Sequence, residues 1–404
     1  MAFILITVLI DITAIGLILP VLPLLVGAFT SSPAEQTFWF GAMALTSGLA
    51  NFMASPILGA LSDKFGRRPL LLLGVSGLAL SFIVTGLATA LWMLVAVRLF
   101  SGAMQSNAAV ANAYVADITA PEDRARRFGL VGAMFGLGFT LGPAMGGFLG
   151  SIDVHLPFFV AGGIAVMNWV YGYFVVPESL PPERRRPFEW RRANPFRALV
   201  GLSQLHRVGS LVAVIALSSL AQVTVQSSFV LYTAFKFGWG PKDNGLALFT
   251  VGLMSVLVQG LLLKHLLQRF SARTLAVGGL MASTLTYLTF GAITEGWMMF
   301  VAIVAGNLLG GGAAAVIQSQ VSNAADARNQ GQTMGAVAAL SSLMAVMAPI
   351  FSAGLLGVVS DLPKGDWRMG LPFYFCALLQ LMGTWFMAKH FGRAHAKNPT
   401  VVAP

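Results

Sequence analysis

The chain has 404 residues, of which 56% are hydrophobic and only 10% are charged. A soluble domain carries roughly 25% charged residues, so this composition excludes a soluble protein and indicates a polytopic membrane protein. The net charge is +10, and Cys376 is the one cysteine of the sequence. A lone cysteine excludes a disulfide framework and an all-cysteine metal site.

At about 20 apolar residues per membrane helix, the sequence predicts about twelve spans. The first apolar run follows no basic segment and contains Asp11, so a cleaved signal peptide is not expected. The expected spans are about 2–26, 39–61, 69–88, 91–115, 127–150, 156–177, 208–235, 244–267, 273–294, 296–320, 333–358 and 369–390.

The basic residues separate by side if both termini are cytoplasmic. Nearly all Lys and Arg residues then lie on the inner side, whereas the outer side receives only Lys236, Lys242, Lys364 and Arg368, and Arg98 lies within a span. This asymmetry predicts an inner-membrane, multi-pass protein with both termini in the cytoplasm. It explains the positive charge without a nucleic-acid partner.

The chain is predicted to consist of two related halves. A polar, proline-rich and arginine-rich stretch predicts a cytoplasmic linker at 178–207, between six-helix bundles at 1–177 and 208–404. Gly129–Pro143 is echoed by Gly335–Pro349, and other echoes follow at an offset of roughly 205 residues. Such repeats predict a binding site near the membrane midplane between the halves.

Asp11 is the first candidate for chemistry, because a carboxylate within a span costs several kcal/mol unless it is paired, hydrated or protonated. We expect it to exchange a proton. The alternative is a residue near the cytoplasmic mouth that only hydrogen-bonds a neighbouring helix.

A charged loop follows the second span, with the sequence Gly-Ala-Leu-Ser-Asp-Lys-Phe-Gly-Arg-Arg-Pro at 59–69. Its basic residues fit a short cytoplasmic turn. The loop resembles the span 2–3 loop of major facilitator superfamily transporters, with the pattern G-x-x-x-D-[RK]-x-G-R-[RK]. The resemblance implies that Asp63, Arg67 and Arg68 form a charge network that closes the cytoplasmic side in one state; Asp117, at the end of span 4, is a further gating candidate.

Span 4 carries Arg98, Gln105 and Asn112 at intervals of seven residues, which places them on one helical stripe. A polar stripe in a membrane helix is expected to face protein or a water-filled path. This span resembles the superfamily's span 4 motif, in which the Arg is linked to proton coupling. The alternative is a structural Arg capped by carbonyls.

Span 5 carries glycines that would allow close helix packing, and they include Gly138, Gly142, Gly146 and Gly147 beside Pro143. Tight packing alone would explain this spacing. The segment also resembles the antiporter motif G-x-x-x-G-P-x-x-G-G, which marks exporters of the superfamily. Further candidates for substrate binding, together with Gln105 and Asn112, are Gln222, Gln226, Gln259 and Asn307.

Over nearly its whole length the chain resembles the twelve-spanner drug:proton antiporter family, and the tetracycline exporters within it. The similarity is carried by Asp11–Pro23, the span 2–3 loop, the span 5 motif and His155–Phe159. Tetracycline exporters have further membrane acids in spans 3 and 9 and a His in span 8. This chain has Ser81, Ser283 and Ser255 at about those places.

The fold class expected is therefore an all-α polytopic membrane protein with the major facilitator fold, twelve helices in two pseudo-symmetric bundles. The expected function is proton-coupled export of a small amphiphilic compound, a drug or tetracycline-like antibiotic, by a monomer that needs protons and a bilayer but no cofactor or metal. Alternatives are a metabolite exporter, a proton–nutrient symporter and a non-transporting membrane scaffold. No enzymatic residue arrangement is present in the sequence.

Overall fold

A computed structural model describes residues 2–105, 107–120, 123–190, 193–194, 210–324 and 330–397. These residues form helices and connecting loops, and no strand occurs among them. The α-helices are α1 (Ala2–Ile18), α2 (Leu22–Gly27), α3 (Pro33–Phe65), α4 (Arg67–Gly86), α5 (Leu91–Met104), α6 (Asn107–Asp117), α7 (Arg124–Ile152), α8 (Leu156–Val175), α9 (Ser210–Phe237), α10 (Pro241–Leu257), α11 (Leu263–Arg269), α12 (Ala272–Ala292), α13 (Gly296–Gly310), α14 (Ala313–Ala324), α15 (Gln330–Val359) and α16 (Leu371–Lys397).

Eleven helical segments of the described residues are long and apolar enough to cross a membrane. The remaining predicted span, the fourth, corresponds to α5 and α6, which are too short individually. The predicted all-helical class with about twelve spans is confirmed, and helix ends differ from the predicted ones by several residues. The largest differences are at α3, which begins at Pro33, and at α16, which extends to Lys397.

Two predicted spans are broken at matching places. In the fourth span α5 ends at Met104, and in the tenth span α13 ends at Gly310 and α14 begins at Ala313. The last residues of α5 and α13 lie 206 positions apart. The helix prolines Pro143 and Pro349 have the same separation. The two halves therefore share helix interruptions as well as sequence echoes.

The start of α3 and the turn between α3 and α4 have local causes. Ser32 accepts a hydrogen bond from the Glu35 amide at 3.2 Å, while the Glu35 carboxylate accepts one from the Ser31 amide at 2.7 Å. These contacts satisfy amides that a helix start leaves without partners. Between α3 and α4 the chain turns at Gly66, whose φ of 106° is accessible mainly to glycine.

The chain forms two compact units, the first comprising Met1–Arg197 with Gly238–Gly252 and the second comprising Ala198–Phe237 with Leu253–Pro404. In the first unit α1 packs against α7 and α8, and α4 packs against α8 and α5. The Asn168 amide donates to the Thr7 carbonyl at 3.0 Å. This bond fixes α8 to α1 one turn before Asp11.

In the second unit α9 packs against α15 and α16, and α12 packs against α16 and α13. Cys376 is fully buried there and its thiol donates to the Ala221 carbonyl at 3.5 Å. Lys236, expected on the outer side, is also buried. Its ammonium donates to the Tyr232 hydroxyl at 2.9 Å and to the Gly291 carbonyl at 2.8 Å.

Candidate functional site

Arg67 is the centre of a charged cluster at one end of the first unit. Its side chain is 10% exposed and forms ion pairs with Asp63 at 2.7 Å and with Asp117 at 3.0 Å. It also donates to the Ser62 hydroxyl at 2.5 Å. Since Asp63 and Asp117 lie on α3 and α6, one guanidinium connects three helices. Arg67 is therefore in direct contact with two other predicted gating residues, Asp63 and Asp117.

Arg68, the fourth predicted gating residue, faces α8 instead. Its guanidinium donates to the Tyr173 carbonyl and lies 5.5 Å from the centre of the Tyr173 ring. Arg68 therefore holds α4 to α8 and takes no part in the ion pairs of Arg67.

Glu178 is a member of this cluster that sequence reasoning missed. Its carboxylate accepts hydrogen bonds from the amides of Arg67 at 2.8 Å and Arg68 at 3.2 Å, which begin α4. The amides of Ser179 and Leu180 donate to the same carboxylate, each at 3.0 Å. A carboxylate at a helix start accepts hydrogen bonds from amides that have no partner within the helix, and its negative charge interacts favourably with the helix dipole. The start of the linker is consequently fixed to the charged loop.

Asp11 lies near the middle of α1 and is 8% exposed. It lines a cavity of about 40 Å³ together with Thr7, Gln105 and apolar residues of α1, α4, α6 and α7. A space of this size exceeds the roughly 10–15 Å³ that one water requires. The structure therefore brings Asp11 and Gln105, both predicted from sequence, to one small and mostly apolar cavity.

Arg98 is buried in α5 at 5% exposure and does not line that cavity. Its Nη2 donates to the Thr85 hydroxyl at 3.0 Å, whereas Nε has no hydrogen-bond partner in the described part of the chain. Seven residues of helix separate Arg98 from Gln105, a rise of about 10 Å. Thr85 is therefore the polar neighbour that orients this guanidinium.

The residues of the predicted stripe on span 4 have different surroundings. Arg98 is buried on α5, which ends at Met104, whereas Asn112 is exposed on α6.

The span 5 glycines bring α7 into backbone contact with α1. A methyl group added to Gly142 would lie 2.7 Å from both the Gly16 Cα and the Thr13 carbonyl oxygen. Gly138 lies against Ile12, and Gly146 lies against the Leu17 backbone. The predicted close helix packing is present, and its partner is the helix that carries Asp11.

Gly147 faces a different neighbour within the first unit. A methyl group there would lie 2.7 Å from the Gly245 Cα, and one at Gly245 would lie 2.6 Å from the Pro143 carbonyl oxygen. The motif therefore packs α7 against α10 as well as against α1.

The polar candidates of the second unit are distributed over several elements. Gln222 and Gln226 are exposed on α9. Gln259 is exposed on a π-helical turn, Val258–Leu262, between α10 and α11. Asn307 accepts from the Ser255 hydroxyl at 3.4 Å. These residues share no hydrogen bond with Gln222 or Gln226 in the part of the chain that the structure describes.

The apolar spans, the helix breaks repeated in both halves and the charged span 2–3 loop together define a polytopic membrane transporter. The chain belongs to the Major Facilitator Superfamily, whose family profile matches residues 4–349 and 211–402.

Individual proteins are similar over nearly the whole chain. "Tetracycline resistance protein, class C" of Escherichia coli is 34% identical over 95% of this chain and 96% of its own. "Tetracycline resistance protein, class D" of Salmonella ordonez is 32% identical over 91% and 92%. The crystal structure of the human organic anion transporter MFSD10 (TETRAN) is 21% identical, with a TM-score of 0.69 and coverage of 96% and 98%. This last similarity shows the fold alone.

Proposed function

We propose that this protein is a proton-driven exporter of a small amphiphilic compound, a tetracycline-like antibiotic or another drug. It lies in the inner membrane with both termini cytoplasmic and works by alternating access. The observation that carries the proposal is the 34% identity with a tetracycline resistance protein over 95% of the chain. The glycine face of α7 supports export, because it matches the antiporter motif over Gly138–Gly147.

Asp11 is the proposed proton carrier. It is the carboxylate of α1, lies mostly buried beside a cavity large enough for water, and has Gln105 on the same cavity. A buried acid in a membrane helix is expected to be functional because its burial is otherwise costly. Arg98 lies at a separate buried position. Its positive charge is proposed to influence when Asp11 binds and releases its proton.

The helix ends within spans 4 and 10 favour substrate binding near these two positions of the chain. Interrupted membrane helices at corresponding positions of two repeats are the common sign of a transporter binding site. Gln105 lies at the first break, and Asn307 precedes the second by one turn. The resemblance to the tetracycline exporters implies membrane acids in spans 3 and 9 and a His in span 8, where this chain has Ser81, Ser283 and Ser255. These neutral side chains favour an amphiphile that is not bound as a metal chelate.

The Arg67 cluster is the proposed cytoplasmic gate. Arg67→Ala removes the ion pairs to Asp63 and Asp117 and is expected to shift the chain toward the state open to the cytoplasm. Hydrogen–deuterium exchange of residues 59–68, where α3 ends and α4 begins, should then rise relative to Lys64→Ala, whose side chain is exposed. Unchanged exchange in Arg67→Ala would argue against a gate at this place.

Transport is tested in inside-out vesicles under an imposed proton gradient, with lumenal pH recorded as tetracyclines, fluoroquinolones, chloramphenicol and lipophilic cations are added. Wild type should release protons on addition of at least one compound. Asp11→Asn should release none, while Asp361→Asn, which alters an exposed acid, should behave as wild type. Proton release in Asp11→Asn would reject the coupling role; silence of wild type to the whole panel would reject drug export and favour a metabolite.

A further inference from the structure

A long groove lies on the second unit between α12 and α13, with a volume of about 900 Å³. Its lining includes the small residues Gly278, Ala282 and Gly306 and the larger residues Met281, Leu285 and Leu309. The two helices approach closely at Gly306, because a methyl group there would lie 2.5 Å from the Thr286 Oγ1. The groove is thus a feature of helix packing and not a gap left by one side chain.

The groove offers almost no hydrogen bonds to an occupant. The hydroxyl of Thr286 donates to the Ala282 carbonyl and that of Thr289 donates to the Leu285 carbonyl, each at 2.8 Å. Both hydroxyl protons are therefore already used within α12. A hydrocarbon chain suits such a surface, whereas a polar solute would lose its hydrogen bonds to water without replacement.

The two ends of the groove differ in chemistry. From Thr274 to Ile293 the lining follows 19 residues of helix, a rise of about 28 Å, close to the roughly 30 Å of a bilayer's hydrocarbon core. Trp297 marks one end and is 63% exposed, as is usual for aromatic residues at a membrane interface.

The other end of the groove is basic. Arg269 and Arg273 are exposed and flank the lining residues Phe270 and Thr274. Lys264 is exposed one turn earlier, and the sequence has no acidic residue from 244 to 294. Among the ion pairs between described residues, none includes Arg269 or Arg273. This end of the groove therefore presents exposed positive charge from Arg269 and Arg273, which form no ion pair with another described residue.

We propose that this groove binds an anionic glycerophospholipid, with the phosphate between Arg269 and Arg273 and an acyl chain between α12 and α13. The charge at one end and the apolar lining along the remainder match the two parts of such a lipid. A second copy of this chain in a twofold contact would place the same basic end against itself, so like charges disfavour that occupant. The binding site is independent of the transport activity proposed above.

The test uses the full chain in detergent and native mass spectrometry, with phosphatidylglycerol or phosphatidylethanolamine added. Wild type should retain phosphatidylglycerol in preference. Arg269→Gln with Arg273→Gln should weaken that binding about 30-fold, since each basic residue near an anionic surface contributes about 1 kcal/mol and 1.4 kcal/mol is tenfold. The matched control, Arg184→Gln with Arg186→Gln in the exposed linker, should leave binding unchanged.

A second variant tests the groove without altering charge. Gly278→Leu adds a side chain into the groove at a position where a methyl group meets nothing within 4 Å, so folding should be retained. Gly163→Leu is the control, because Gly163 is also exposed on a helix with open space around it. Lipid binding should fall in the first variant only.

Equal binding of the two lipids by wild type, or wild-type binding in both the arginine and the Gly278 variants, would overturn the proposal. A dimer that Gly278→Leu converts to monomer would also overturn it, because a second copy would then occupy the groove.

Discussion

Gly142→Ala tests whether backbone contact between α7 and α1 is required for the fold of the first unit. The added methyl group would lie 2.7 Å from the Gly16 Cα and 2.7 Å from the Thr13 carbonyl oxygen. Both are backbone atoms, so no side-chain rotation can make room and the two helices must separate. Inserting a methyl group into close packing costs about 1–3 kcal/mol.

Helix propensity acts in the opposite direction, since alanine is about 1 kcal/mol better than glycine within a helix. Gly132→Ala on the same helix provides the control, because a methyl group there meets nothing within 4 Å. The difference in stability between the two variants therefore reports the steric clash alone. The clash should lower the melting midpoint of Gly142→Ala by on the order of 5 °C relative to Gly132→Ala.

The assay heats each variant in detergent and measures the monodisperse fraction by size-exclusion chromatography. Equal midpoints for the two variants would refute the reasoning, since they would show that α1 moves away from α7 at no cost. If Gly142→Ala also transports more slowly than Gly132→Ala, the transport cycle requires the close contact between α7 and α1.

The remaining predictions concern two residues that hydropathy did not single out. Glu178→Ala removes the acceptor of four backbone amides and should lower the free energy of unfolding by about 1–2 kcal/mol. Trypsin should then cleave the linker faster than in Glu183→Ala, which alters an exposed acid; equal cleavage would contradict this prediction. Lys236→Ala deprives the Gly291 carbonyl of a donor and opens a cavity, so it should lower the free energy of unfolding by about 1–3 kcal/mol. Its melting midpoint should therefore lie below that of the exposed-residue control Lys242→Ala; equal midpoints would show that the buried ammonium contributes nothing.

Hydropathy and repeats were enough to predict the helical class and most span positions, because a bilayer requires long apolar helices. They did not predict the breaks at Gln105 and at Gly311. Gln105 has ordinary helix propensity, and glycines are frequent in membrane helices generally. Interruption of these helices depends on tertiary packing, which the local pattern does not contain.

The charged cluster was predictable only in part. Asp63 and Arg67 are four residues apart in one motif, so their ion pair follows from local sequence. Glu178 is more than 100 residues away and lies after a proline, where nothing in the sequence indicates that it caps α4. Lys236 was expected on the outer side because it follows the predicted span 208–235, yet its ammonium is buried and donates to the Gly291 carbonyl near the end of α12.

The burial of Cys376 makes this chain well suited to site-directed labelling. Its thiol is packed inside the second unit, in contact with neither lipid nor water, and no other cysteine exists in the sequence. A membrane-impermeant maleimide reacts with thiolates in water, so it should modify only cysteines introduced at exposed positions. Distances and accessibilities can therefore be measured with the native thiol left in place.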